Sequence, residues 1–168
     1  FMEAMIAYKK SKGEPVYADA NSSLRITYGN VMGYSPQDGI TATPFTTLEG
    51  LLAKYKAGDA EFDLFDNIRK AIADKNYGKY YRKDLDSVPV NYLSNLDITG
   101  GNSGSPTLNG KGEFVGLVFD GVYESIIGDW DYDTKYKRAI HTSVPFMLWT
   151  MENIDGAQNI VDEMTIVK

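Results

Sequence analysis

A chain of 168 residues is one domain's worth of polypeptide and long enough to bury a core. With 43% hydrophobic and 24% charged residues it is globular rather than disordered. Its 17 Lys and Arg against 23 Asp and Glu give a formal charge of -6, which argues against nucleic acid or anionic membrane as the main partner, and the absence of cysteine removes disulfides, thiol catalysis, zinc fingers and iron–sulfur sites.

In chain order, Phe1, Met2, Met5, Ile6 and Tyr8 fall at helical spacing, and Gly13 and Pro15 stop that helix. Because the chain opens on Phe1 inside a helix, it is expected to be a piece of a longer protein. No apolar run approaches the roughly 20 residues of a membrane span, and no signal peptide is visible. Residues 1–15 read as the end of a preceding helical region, and 16–168 as the domain proper. Asp19 to Asn21 reads as a turn. Leu24, Ile26 and Tyr28 then alternate with Arg25 and Thr27, the period-2 pattern of a half-buried strand, with Val31 to Tyr34 continuing it past Gly29.

Thr46 and Glu49 fit a capping box ahead of Leu48, Leu51, Leu52 and Tyr55, predicting a short helix ended by Gly58. A second helix is predicted from Asp63 to Asn76, with Phe65, Ile68 and Ile72 on one face and Gly78 as its C-terminal cap. This stretch, 46–78, reads as a helical insertion on a mostly β body. Val88 to Leu93 is a candidate strand. Pro106 to Leu108 and Glu113 to Phe119 flank Asn109-Gly110, a strong hairpin signal. Asp120 to Tyr136 reads as a long polar and aromatic loop, and Arg138 to Val144 as a last strand. Helices at Pro145 to Met151 and Asp155 to Met164 close the chain, over 145–164. The expected architecture is mainly β, a small β-barrel with peripheral helices.

The segment that carries chemistry is Asp97-Ile98-Thr99-Gly100-Gly101-Asn102-Ser103-Gly104-Ser105-Pro106. It puts a serine on a tight, glycine-flanked turn. Gly101 lets the backbone turn sharply, so that the N–H groups of Gly101 and Ser103 can converge on one oxygen, as an oxyanion hole requires. The same Gly, Ser and Asn cluster also reads as an ordinary loop. It is not the Gly-x-Ser-x-Gly elbow of α/β-hydrolases, because Ser105 stands at the last position and no strand–elbow–helix pattern follows.

Gly101-Asn102-Ser103-Gly104-Ser105-Pro106 resembles the nucleophile motif Gly-Asp-Ser-Gly-Gly-Pro of chymotrypsin-like serine peptidases, with Asn102 in place of Asp and Ser105 in place of the second Gly. A fuller resemblance covers nearly the whole chain. Asp19-Ala20-Asn21-Ser22-Ser23-Leu24-Arg25-Ile26-Thr27-Tyr28-Gly29, Gly33-Tyr34-Ser35-Pro36 and Thr46-Thr47-Leu48-Glu49-Gly50 are similar to segments of the bacterial dipeptidyl-peptidase 7 and 11 family. Thr99 through Pro106, Val115-Gly116-Leu117, Phe119-Asp120-Gly121 and the tail Asp162-Glu163-Met164-Thr165-Ile166-Val167 follow in the same order and spacing.

That resemblance implies a serine exopeptidase that releases dipeptides from a free peptide N-terminus. It implies a double β-barrel, of which this chain holds the second, C-terminal barrel, with Ser103 as nucleophile and Gly101 as an oxyanion-hole donor. The triad His and Asp then lie upstream of Phe1, and the chain alone is expected to be inactive. His141, the single histidine, follows Ser103 in the alternating run Ile140-His141-Thr142 and reads as a structural residue at the core edge. Phe119 and Asp120 match residues that hold the substrate's amino-terminal end, where a carboxylate pairs an ammonium. The plainer reading of Asp120 is a solvated carboxylate at a hairpin end. Gly121 matches the position where Arg accompanies cleavage after Asp or Glu, so Gly implies an open, uncharged pocket and cleavage after a hydrophobic residue. By resemblance the parent is periplasmic or secreted, and a homodimer is compatible with it.

Asp129, Asp131 and Asp133 alternate as calcium ligands do, but Thr134 and Ile140 stand where an EF-hand needs Gly and Glu. Gly100-Gly101 is no phosphate loop, since no Lys-Ser/Thr follows. No residue implies a metal or organic cofactor. The aromatic residues from Tyr123 to Tyr136 fit a lid, a subunit contact or packing over a barrel end. Two further readings remain: an endopeptidase of the same fold, and a non-catalytic binding domain that keeps the barrel.

Overall fold

The computed structural model describes residues 1–14, 16, 22–129 and 131–167. Helix α1 (Met2–Lys12) forms where its spacing predicts and ends at Gly13 in the left-handed conformation. The turn expected at Asp19–Asn21 lies outside the described residues.

The largest departure from expectation follows. Residues 24–30 form no strand. They run beside residues 94–102, tied by the Asn95 N–H to the Asn30 carbonyl at 3.1 Å and by an isolated bridge between Val31 and Ser94. The period of two is real, but the faces are inverted. Arg25 and Thr27 turn toward the body, where the Thr27 hydroxyl accepts the Asp97 N–H at 3.1 Å. Leu24, Ile26 and Tyr28 point outward and are 89%, 83% and 92% exposed. The polar face wins because the 95–102 loop carries backbone and amide groups that need partners.

Strands β1 (Tyr34–Gln37) and β2 (Ile40–Ala42) make a separate hairpin. The main sheet holds β3 (Phe45–Thr47), β4 (Pro89–Ser94), β5 (Pro106–Leu108), β6 (Phe114–Gly121) and β7 (Ala139–Ser143), in the order β3-β4-β7-β6-β5. Every pairing is antiparallel. β5 and β6 are the hairpin read from Asn109-Gly110, although its loop runs from Asn109 to Glu113. The body is mainly β with peripheral helices, as expected, and among the described residues β3 and β5 stay edge strands of a curled sheet that does not close. The curl is measurable. Thr107 on β5 reaches across β6 to His141 on β7 at 2.8 Å. A Cβ on Gly116 of β6 would lie 2.5 Å from the Tyr92 hydroxyl, so only glycine there lets the β4 tyrosine arch over β7.

Helices α2 (Leu48–Lys54) and α3 (Asp66–Ala73) sit between β3 and β4, within the predicted insertion. The capping box does not form. Thr47 is the N-cap, the Thr46 hydroxyl accepts the Asn91 N–H at 3.1 Å, and Glu49 accepts the Tyr77 hydroxyl. Helix α2 stops at Lys54, before Gly58. Helix α3 is shorter than expected, ending at Ala73, and Gly78 instead opens a 3₁₀ turn, Gly78–Tyr80. Ser143 caps α4 (Val144–Trp149) by accepting the Phe146 N–H at 3.3 Å. A π turn, Thr150–Ile154, and α5 (Gln158–Val161) complete the chain. These helices bury Leu48, Ile72, Leu148, Trp149 and Val161 against Val88 and Val90 at one end of the sheet. The opposite end is left to carry the site.

Candidate active site

The turn that carries Ser103 bridges β4 and β5. Gly101 and Gly104 both hold positive φ, 91° and 84°, which a side chain would resist. The turn closes on itself through the Asn102 N–H to the Thr99 carbonyl at 3.3 Å and the Ser105 N–H to the Asn102 carbonyl at 3.0 Å. The Gly104 N–H donates to the Val118 carbonyl at 2.8 Å, and the Val118 N–H to the Ser105 carbonyl at 3.1 Å. This prolongs the β5–β6 ladder and brings Ser103 beside Phe119. The Ser103 hydroxyl is exposed and donates to the Phe119 carbonyl at 3.1 Å. Among the described residues, the N–H groups of Gly101 and Ser103 donate to no protein acceptor. They are available to a ligand oxygen.

Phe119 occupies a β-bulge. Val118 pairs with His141 and Asp120 pairs with Ile140, so β6 spends two residues where β7 spends one. The extra residue is Phe119. A bulge bends its strand and re-aims side chains. Here it breaks the alternation of β6, leaving Phe119 and Asp120 both exposed. Asp120 accepts the N–H of Gly121 at 2.7 Å.

Ser103, Phe119, Asp120 and Gly121 line one cavity of about 250 Å³, together with Ile98, Val122, Ser125, Ile126 and Gly128. Among the described residues that line it, Asp120 is the only one with an ionisable side chain. Gly101 stands on the turn next to it but does not line it. A Cβ on Gly121 would come within 3.3 Å of the Ser125 Cβ, so a larger residue there would press on the cavity wall.

The outer wall is a 3₁₀ turn, Tyr123–Asp129, inside the stretch read as a loop. Lys137 ties it to the segment that leads into the Ser103 turn. Its side chain is 2% exposed, its ammonium donates to the Gly128 carbonyl at 3.2 Å, and it pairs with Asp97. Of the aromatic residues in this stretch, Tyr132 donates to the Asn95 carbonyl and packs inward, while Tyr123 faces out. Trp130 lies outside the described residues. Asp131 and Asp133 accept the nearby N–H groups of Tyr132 and Lys135.

His141 is fully buried. Its Nε2 bonds the Ser94 hydroxyl at 2.7 Å and its Nδ1 the Thr107 hydroxyl at 2.8 Å. Its ring stacks on Tyr92 with centroids 4.6 Å apart. Both nitrogens are committed and neither meets Ser103. Burial pushes its pKa down to about 4, so the ring is neutral.

Three contributors escape a reading of the sequence. The Phe119 bulge depends on cross-strand register. Lys137 is one lysine among many. Arg25 meets the Ser103 turn from 74 and 77 residues away, at Thr99 and Asn102. Only its place inside a motif shared with a family marks it.

Residues 1–166 match the peptidase S46 family. The chain is 39% identical to the Asp/Glu-specific dipeptidyl-peptidase of Shewanella putrefaciens, over 100% of this chain and 26% of that protein. It is 45% identical to dipeptidyl-peptidase 7 of Capnocytophaga gingivalis, over 91% of this chain and 22% of that one. A crystal structure of Porphyromonas endodontalis DPP11 in complex with the dipeptide Arg-Asp superposes with a TM-score of 0.86 at 37% identity, covering 94% of this chain and 23% of that one. The chain thus spans about a quarter of the length of the relatives it matches. A match that runs from the first helix to the last turn, in sequence and in fold alike, places this chain in the peptidase S46 family.

Proposed function

We propose that this chain is the C-terminal, nucleophile-bearing portion of a chymotrypsin-like serine dipeptidyl-peptidase, secreted or periplasmic, that releases N-terminal dipeptides ending in a hydrophobic residue. The observation that carries the reading is the exposed Ser103 beside a cavity lined by the Asp120 carboxylate, with the Gly101 and Ser103 amides unpartnered among the described residues.

In this reading the Ser103 hydroxyl attacks the carbonyl of the scissile bond, and a histidine from the rest of the protein takes its proton. The carbonyl oxygen becomes an oxyanion that accepts the N–H groups of Gly101 and Ser103. Collapse expels the amine of the shortened peptide, which receives the proton from that histidine. Water then releases the dipeptide from Ser103 by the same steps. Losing one oxyanion donor costs about 10²–10³ in rate. Asp120 pairs the substrate's ammonium, with Phe119 packed beside it, and so counts two residues to the bond.

Gly121 leaves the pocket open, and Ile98, Val122 and Ile126 give it an aliphatic part. Among the described lining residues an acidic side chain would meet no cation. Because His141 is walled into the core, this chain by itself offers Ser103 no base and is expected to be inactive.

The test is dipeptide release by the full-length protein, read by mass spectrometry on free-amine peptides with Leu, Met or Glu second. The expected result is release after Leu or Met that vanishes in Ser103→Ala. Release only after Glu would overturn the pocket assignment and keep the family chemistry. No release from any peptide would leave a binding domain.

A further inference from the structure

Donors aimed at an oxyanion work only if the turn that carries them keeps one shape. In this turn the fixing point is the Asn102 side chain. Its Oδ1 accepts the Thr99 N–H at 3.0 Å and, at the same time, Arg25 Nη2 at 3.2 Å. Arg25 Nη1 donates to the Thr99 hydroxyl at 2.9 Å. One guanidinium therefore grips both ends of the 99–102 turn. Among the described residues Arg25 pairs with no carboxylate, so its charge is directed to these two neutral acceptors. Hydrogen bonds from a charged donor are roughly twice as strong as neutral ones, and a planar fork loses little freedom in making two.

From this geometry we infer that Arg25 is a positioning residue, which locks the nucleophile turn through Asn102 and Thr99 and keeps the Gly101 and Ser103 amides aimed at one point. The assignment rests on Ser103 being the nucleophile. Asn102 supplies the acceptor that the Thr99 N–H and the Arg25 guanidinium share. The inverted faces of residues 24–28 follow as well, since Arg25 must point inward to reach the turn.

The test uses the full-length protein with Arg25→Ala and Arg25→Gln, the second serving if the first fails to fold. Expected is a fall in kcat of about 10²-fold, the scale of a lost oxyanion donor, with KM within about twofold. Labelling of Ser103 by a serine-directed phosphonate slows in parallel, and added guanidinium ion restores part of the Arg25→Ala rate. Amide hydrogen exchange across 99–105 quickens by about tenfold while β4 and β7 keep their protection. An active wild type with equally active variants overturns the inference. So does a loss of activity that only tracks lost melting temperature and faster exchange throughout the sheet. If the wild type releases no dipeptide, the functional reading fails separately, and exchange alone decides: faster at 99–105 only upholds Arg25's hold on the turn, and unchanged refutes it.

Discussion

A histidine sealed from water responds to protons mainly through the unfolded chain. His141 has its pKa pushed by burial from 6.5 to about 4 in the folded state. Between those values the unfolded chain binds a proton that the folded one refuses, so stability is full above about pH 6.5 and declines as pH falls toward 4. The loss approaches about 3 kcal/mol, at about 1.4 kcal/mol per pH unit. His141→Gln keeps hydrogen-bonding atoms near Ser94 and Thr107 but cannot titrate. Its urea midpoint is expected to be flatter across that window than the wild type's, and parallel curves would refute the assignment. At this scale the sequence was legible where chemistry is local. Ser103, Gly101 and Gly104 share one turn, and their conformations follow from their own residue types. The Phe119 bulge was not legible, because it is a mismatch between β6 and β7 that neither strand carries alone. Arg25 was hidden for the same reason: its partners lie in another part of the chain.

Elements read best where start and stop signals sit inside the element. Helix α1 with Gly13 and the β5–β6 hairpin with Asn109-Gly110 are such cases. Thr46 and Glu49 have the spacing of a capping box, yet Asn91 and Tyr77 compete for their side chains across the fold and win. Gly78 looked like a helix end because a left-handed glycine serves a 3₁₀ turn equally well. The 3₁₀ turn Tyr123–Asp129 had no sequence signal strong enough to separate it from loop. Its anchorage is nonetheless firm, since Lys137 clamps it to Asp97. Breaking a buried ion pair from one side typically costs 3–5 kcal/mol, and Asp97 keeps some access to water, so Lys137→Met is expected to destabilise by about 3 kcal/mol. Differential hydrogen exchange would place the loosening at 95–102 and 123–129. A loss under about 1 kcal/mol would mean that the pair behaves like a surface salt bridge.

On the scale of the whole molecule, the helices fill one end of a curled sheet and the site opens at the other. The β body with peripheral helices was legible from period and turn residues. That the sheet stays open was not, because closure depends on what lies across from the three-residue edge strands β3 and β5. The same missing context reversed the faces of residues 24–28. That reversal also makes the chain sticky as a colloid. Leu24, Ile26 and Tyr28 form an outward apolar row on an extended segment, and such rows favour contact between copies. The one cation in the row, Arg25, faces inward and cannot act as a charged gatekeeper. Only the overall charge of -6 keeps copies apart, and salt screens it. Light scattering from the 168-residue chain is therefore expected to rise with ionic strength, and Ile26→Lys to abolish the rise. Equal scattering from both would move the sticky surface elsewhere.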